Sequence, residues 1–98
     1  MMNNYDDILK KNIEINGTMT ELIVAMEELA ELTKEITKYI RYGTNKKAIM
    51  EELADVLIMC RQLMIMTFIE DDELLEEIER KIRRQIERCE VERNTFTQ

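Results

Sequence analysis

The chain has 98 residues, with 14 basic and 21 acidic side chains, a formal charge of -7, two glycines and no histidine. That balance excludes a nucleic-acid backbone as partner, because phosphate neutralisation needs a basic face, but it leaves room for a nucleotide reached through a bridging cation. The absence of serine and histidine excludes a Ser/His nucleophile. With only Gly17 and Gly43, there is no glycine-rich phosphate loop.

Hydrophobic residues make up 45% and charged residues 36%, with no proline. A chain so rich in Glu, Leu, Ile, Lys, Arg and Met is expected to be helical throughout, and its length suits one domain over residues 1–98. Residues 1–17 read as an N-terminal arm or short helix, with Asn4 as a cap and Asn16-Gly17 as its end. Thr18 or Thr20 then caps a long helix running to Tyr42, with Gly43 as the residue after it. Its apolar positions Leu22, Met26, Leu29, Ile36 and Ile40, with Thr33 among them, step by threes and fours like the seam of a bundle.

Thr44-Asn45 opens a second long helix, expected from Lys46 to Ile69, with Leu53, Leu57, Cys60, Met64 and Phe68 as its seam. Beyond Asp55 it is apolar nearly all round, except for Arg61, Gln62 and Thr67, which in so small a chain implies a partner subunit. A third long helix is expected from Asp71 to Arg93, with Leu75, Ile78, Ile82, Ile86 and Cys89 inward and a frayed tail over 94–98. Both cysteines fall at apolar helical positions and are expected to be buried; without histidine or a CxxC spacing, structural zinc is not indicated. The longest charge-free run, Gln62 to Ile69, is too short to span a bilayer, and no signal-like segment opens the chain. The expectation is a cytoplasmic protein with no membrane contact: an all-α bundle of three long helices plus the short N-terminal one, assembling into an oligomer.

The organising feature is a duplication. Met26-Glu27-Glu28-Leu29-Ala30-Glu31 is repeated as Met50-Glu51-Glu52-Leu53-Ala54-Asp55, 24 residues later. Each copy sets two acids three residues apart, Glu28 with Glu31 and Glu52 with Asp55, which places them on one helix face with Cβ atoms ~5–6 Å apart. If the two helices pack antiparallel, four carboxylates converge. Asp55 is followed at once by Val56, Leu57, Ile58 and Met59, and a carboxylate at the edge of an apolar segment needs a cation or a donor. Oxygen-only ligands without histidine or cysteine favour Mg²⁺, with Mn²⁺ as a substitute.

Glu27-Glu28-x-x-Glu31, twenty intervening residues, then Glu52-x-x-Asp55 resembles the EExxE…ExxD signature of the MazG-like, all-α nucleoside triphosphate pyrophosphohydrolases. The resemblance covers about residues 18 to 93. It implies a homodimer or homotetramer and Mg²⁺-dependent hydrolysis of a (d)NTP to the monophosphate and pyrophosphate. By position, Glu28, Glu31, Glu52 and Asp55 look like the metal ligands, and Glu27 like a residue that orients or deprotonates the attacking water. Lys81 and Arg84 look similar to the family's basic element for phosphates, and Tyr39 and Tyr42 are candidates to stack on the base. The chain departs from some relatives in having neither tryptophan nor histidine, which leaves the base open. The competing expectation is a helical oligomerisation module with solvated acidic faces; it accounts for the Met-rich second helix but not for the duplicated MEELA.

Overall fold

A computed structural model describes residues 3–97, with side chains described for 4–93. The chain comprises two compact units, Met1–Phe68 and Ile69–Gln98. The first holds a 3₁₀ turn at Asn3–Tyr5, α1 (Asp6–Asn16), α2 (Thr18–Tyr42) and α3 (Lys46–Thr67); the second is α4 (Asp71–Thr97). Among the described residues there is no strand, as the composition predicts, and no helix is long and apolar enough to cross a membrane.

The helix boundaries follow from backbone chemistry. Gly17 (φ 89°) ends α1, its N–H donating to the carbonyl of Ile13 at 2.8 Å, and serves at the same time as the residue before α2. The threonine caps expected for α2 are therefore not used: no side chain caps that end. Nor does Asn4 cap α1; Tyr5 stands at that position without a side-chain hydrogen bond. Gly43 takes the left-handed conformation that ends α2, as expected, with its N–H on the Tyr39 carbonyl at 2.9 Å.

Asn45 opens α3, but its side chain turns back to α2. Its Nδ2 donates to the Glu35 carbonyl at 2.9 Å and to Glu35 Oε2 at 2.8 Å, stitching the short connection onto the helix it leaves. α3 ends at Thr67, before the expected Ile69, because Phe68 adopts a left-handed conformation (φ 58°) and its N–H caps the Ile65 and Met64 carbonyls. α4 continues past the expected end at Arg93 to Thr97, while Gln98 lies outside the described residues.

The cross-helix hydrogen bonds define how the first unit is built. Gln62 meets Glu21, and Asn45 meets Glu35, so α3 runs antiparallel to α2. α1 closes over one end of this hairpin. Asp6 and Arg61 form a two-pronged ion pair, Nε to Oδ1 at 2.9 Å and Nη2 to Oδ2 at 2.7 Å. Asn12 and Asn16 reach the Glu21–Gln62 contact from the same helix.

The apolar seams are another matter. Among the described apolar side chains only Leu9 and Val56 are buried; Met26 is 70% exposed and Ile40 78%. Leu29, Ile36, Leu53 and Leu57 are exposed as well, and so are both cysteines. Most of the expected inward positions of α2 and α3 thus face outward in the single chain, Leu22 and Met64 being half-buried, because the hairpin closes instead on the glutamate face of α2. The same holds for α4, whose Leu75, Ile78, Ile82, Ile86 and Cys89 are all exposed.

Two stability predictions follow from these contacts. Phe68 is 86% exposed and holds a strained backbone, so Phe68→Gly removes a left-handed penalty while losing little burial. We expect a gain of about 0.5–1 kcal/mol in chemical denaturation. Gln62, fully buried, donates to Glu21 and accepts from Asn12; Gln62→Ala leaves Glu21 Oε2 without its donor and should cost about 2–4 kcal/mol by the same measurement.

Candidate metal centre

Glu21, Glu28 and Glu35 recur at heptad spacing along α2, within ~20° of one line down the helix. All three face α3, where Gln62, then Glu52 and Asp55, then Asn45 stand opposite in antiparallel order. Three polar layers thus recur along the interface, with the buried Val56 and the half-buried Ala25, Leu32, Ile49 and Met59 at intervening positions of the two helices. In two of the layers the protein itself supplies donors to the glutamate, although Asn45 Oδ1 in the third is buried without a partner.

In the first, Glu21 is buried at 3% exposure and accepts from Asn12 Nδ2 (3.1 Å) and Asn16 Nδ2 (2.8 Å) on one oxygen and from Gln62 Nε2 (2.8 Å) on the other. In the third, Glu35 accepts from Asn45 Nδ2 at 2.8 Å and pairs with Lys38 Nζ at 3.2 Å. The Asn45 hydrogen bond, followed by the nearby lysine charge, holds the Glu35 carboxyl below the usual carboxylate range.

The middle layer has no such donors. Carboxylate oxygens of Glu28, Glu52 and Asp55 all lie within 4.8 Å of one another, the only group of three or more potential metal ligands so placed among the described residues. Glu28 and Glu52 are half-buried and Asp55 is exposed at the rim. Glu52 Oε2 is buried without a hydrogen-bond partner. Desolvation pushes the Glu28 carboxyl up, reinforced by the charge of Asp55, by a hydrogen bond to it, and by Glu52 and Glu31. Desolvation likewise raises Glu52, with Asp55 and Glu31 as the next contributors.

Glu31, the fourth expected ligand, is exposed and stands outside the trio. At ~100° per residue it is turned ~60° from the line of Glu28, which brings its charge to bear on Glu28 and Glu52 from the rim. Glu27 is exposed on the neighbouring face. Tyr39 and Tyr42 are exposed near the end of α2, ~16 and ~21 Å along the helix axis from Glu28. Lys81 and Arg84 are exposed on α4, in the second unit. The structure therefore brings together Glu28, Glu52 and Asp55 and keeps Glu31 beside them, while Tyr39 and Tyr42 stand further along α2.

The donor chemistry suits a hard divalent cation. An octahedral Mg²⁺ has oxygen ligands at ~2.0–2.1 Å, hence ~4.2 Å between opposite ones. Neighbouring ligands of such an ion stand ~2.9 Å apart, so a trio within 4.8 Å would have to draw together to close on it. Glu52 Oε2 supplies a buried oxygen in need of a positive partner. Glu21, Glu35, Gln62, Asn45, Asn12 and Asn16 were not singled out as site residues from the sequence. The heptad recurrence of glutamate at 21, 28 and 35 is the signal that finds them, with Gln62 the amide interrupting an apolar run.

Compared with protein-family models, with curated proteins and with solved structures, the chain matches none.

The raised carboxyls have a pH consequence. A carboxyl whose folded value exceeds its unfolded one binds its proton more tightly when folded, so it adds stability as pH falls and removes it as pH rises through the raised value. Without metal, the protein should melt higher at pH 5 than at pH 7.5, the gain accumulating as pH falls toward the ordinary glutamate value of 4.5. The lowered carboxyls of Asp6, beside Arg61, and of Glu35, beside Asn45, work the other way below their ordinary values of 3.8 and 4.5. Stability should therefore pass through a maximum in mildly acid buffer. Added Mg²⁺ should raise the melting temperature at pH 7.5 and do progressively less toward pH 5, where protons compete for the same oxygens. Thermal melts across pH, with EDTA or MgCl₂, measure both effects.

Proposed function

We propose that this chain is a Mg²⁺-dependent nucleoside triphosphate pyrophosphohydrolase of the MazG-like kind, converting a (d)NTP to the monophosphate and pyrophosphate. The observation that carries the proposal is the middle layer: three convergent carboxylates with no donor, between two layers that have theirs. Those residues, Glu28, Glu52 and Asp55, are three of the four metal ligands that the EExxE…ExxD resemblance implies.

In this reading Glu28, Glu52 and Asp55 hold the cation, with Glu31 joining from the rim. Mg²⁺, when bound, supplies charge neutralisation for the triphosphate and lowers the pKa of a coordinated water. The chain's own residues do the rest. Glu28 and Glu52, half-buried, fix the position of the charge; Asp55, exposed, stands at the face a phosphate would approach. Glu27, exposed next to Glu28, would in this reading accept the proton of the attacking water. No covalent protein intermediate is needed, which suits a chain without serine or histidine.

The exposed seams of α2 and α3 support assembly into a homodimer or homotetramer, since a chain with two buried apolar side chains among its described residues has little core of its own. The same seams favour a second reading, a helical oligomerisation module without catalysis. The two readings part at the middle layer, which a purely structural module would be expected to satisfy with amides as it does the outer two.

Pyrophosphate release from a panel of NTPs and dNTPs tests the proposal. We expect Mg²⁺-dependent release with at least one nucleotide, reduced ~10²-fold or more by Asp55→Asn or Glu52→Gln. Glu35→Gln and Tyr5→Phe should leave it within about threefold, since neither residue belongs to the trio. Release that persists in Asp55→Asn, or silence across the panel with metal binding also absent, would leave the oligomerisation module.

A further inference from the structure

The two helices that hold the trio also fix the side on which it opens. On α2, Glu31 is turned ~60° from Glu28, and the apolar Leu29, Ile36 and Ile40 are turned ~80–120° in the opposite sense. On α3, Asp55 is turned ~60° from Glu52, and Leu53 and Leu57 ~100–140° in the opposite sense. Because α2 and α3 run antiparallel, turns of the same sense on the two helices come out on the same side of their contact. One side of the hairpin is therefore apolar, and the other carries Glu31 and Asp55, both exposed, at the mouth of the trio.

That mouth is strongly negative. Glu28, Glu31, Glu52 and Asp55 bring four carboxylates, and one divalent cation offsets only two of their charges. A phosphate chain, itself an anion, is repelled there unless a base stands at the same mouth. Of the six bases on α2 and α3, Lys38 is paired with Glu35 at 3.2 Å and Arg61 with Asp6 at 2.7 Å. Arg41 lies ~20 Å along the axis from Glu28, and Lys46 is turned to the apolar side. Lys47 precedes Glu52, and helical side chains lean toward the start of their helix, so it leans away from the trio.

Lys34 differs from all five. It is exposed one turn beyond Glu31, on the side of the open mouth, and unlike Lys38 it makes no ion pair among the described residues. Its Cα is ~9 Å along the axis from that of Glu28, and a stem leaning toward the helix start reaches ~6 Å back toward the trio. We infer that Lys34 is a phosphate-binding residue, its ammonium donating to the phosphate chain of a nucleotide whose cation sits among Glu28, Glu52 and Asp55. The inference rests on the pyrophosphohydrolase reading and supplies, from the first unit, a base that the resemblance seeks at Lys81 and Arg84 on α4. An ammonium on a flexible stem acts as a point charge on phosphate oxygens, the part common to every (d)NTP.

Calorimetric titration of the full chain with inorganic tripolyphosphate in Mg²⁺ tests the inference, since that probe carries the phosphate chain without sugar or base. Mn²⁺ binding in the absence of phosphate, followed by electron paramagnetic resonance, is measured on the same variants. We expect saturable tripolyphosphate binding, weakened ~10-fold or more by Lys34→Gln and largely kept by Lys34→Arg. Lys38→Gln should change it by less than about threefold, and Lys34→Gln should leave Mn²⁺ affinity within about threefold. Three results would overturn the inference and leave the metal site standing: an affinity untouched by Lys34→Gln, an equal loss in Lys34→Gln and Lys38→Gln, or no tripolyphosphate binding by a chain that binds Mn²⁺. A chain that binds no Mn²⁺ would overturn the metal reading itself, and the inference falls with it.

Discussion

A carboxylate taken out of water must meet a donor or a cation, and the first unit of this protein is arranged around that requirement. Glu21, Glu28 and Glu35 come round to the same side of α2, and α3 packs against that side rather than against the apolar seam ~100° away. Asn12, Asn16 and Gln62 satisfy Glu21, and Asn45 with Lys38 satisfies Glu35. Glu28 stands with Glu52 and Asp55, their oxygens within 4.8 Å of one another. The contrast in acidity follows: hydrogen bonds lower the Glu35 carboxyl, while desolvation and neighbouring acids raise that of Glu28, on the same face of the same helix.

The outer layers also explain how the middle one is held open. Gln62 and Asn45 anchor α3 on α2 at either side of the trio, and α1 adds Asn12, Asn16 and the Asp6–Arg61 pair at one end. Without these ties, mutual repulsion would drive Glu28, Glu52 and Asp55 apart toward solvent. With them, the three carboxylates are kept within reach of one ion, a preorganised arrangement of the kind metal and phosphate chemistry uses. Turning the polar face inward has a cost on the other side, where Met26, Leu29, Ile36 and Ile40 are left exposed. The polar layers close the hairpin, and the seams stay exposed in the single chain.

Much of the fold is legible in the sequence because its punctuation is local. Gly43 and Asn45 mark the turn between α2 and α3, and Gly17 the break after α1, each by a backbone preference that needs no tertiary information. The duplicated MEELA points to Glu28, Glu31, Glu52 and Asp55 before any coordinates, since i, i+3 pairs on two antiparallel helices can converge, but it does not show that Glu31 stays outside the trio. The facing of the helices was not legible. Periodicity shows that Leu22, Met26, Leu29, Ile36 and Ile40 share a side, but not whether that side meets α3 or a second chain. The left-handed Phe68 was also hidden, because a non-glycine residue in that conformation is set by its surroundings and not by its type.

The central claim is that the middle layer takes a divalent cation where its neighbours take amide donors. Its most direct test is a titration with Mn²⁺ followed by electron paramagnetic resonance, comparing the unaltered chain with Glu52→Gln and with Glu35→Gln. We predict a saturable site in the unaltered chain, lost or greatly weakened in Glu52→Gln and preserved in Glu35→Gln. Binding that is absent from the unaltered chain, or that weakens equally in both variants, would contradict the account and leave the three carboxylates as a solvated acidic patch.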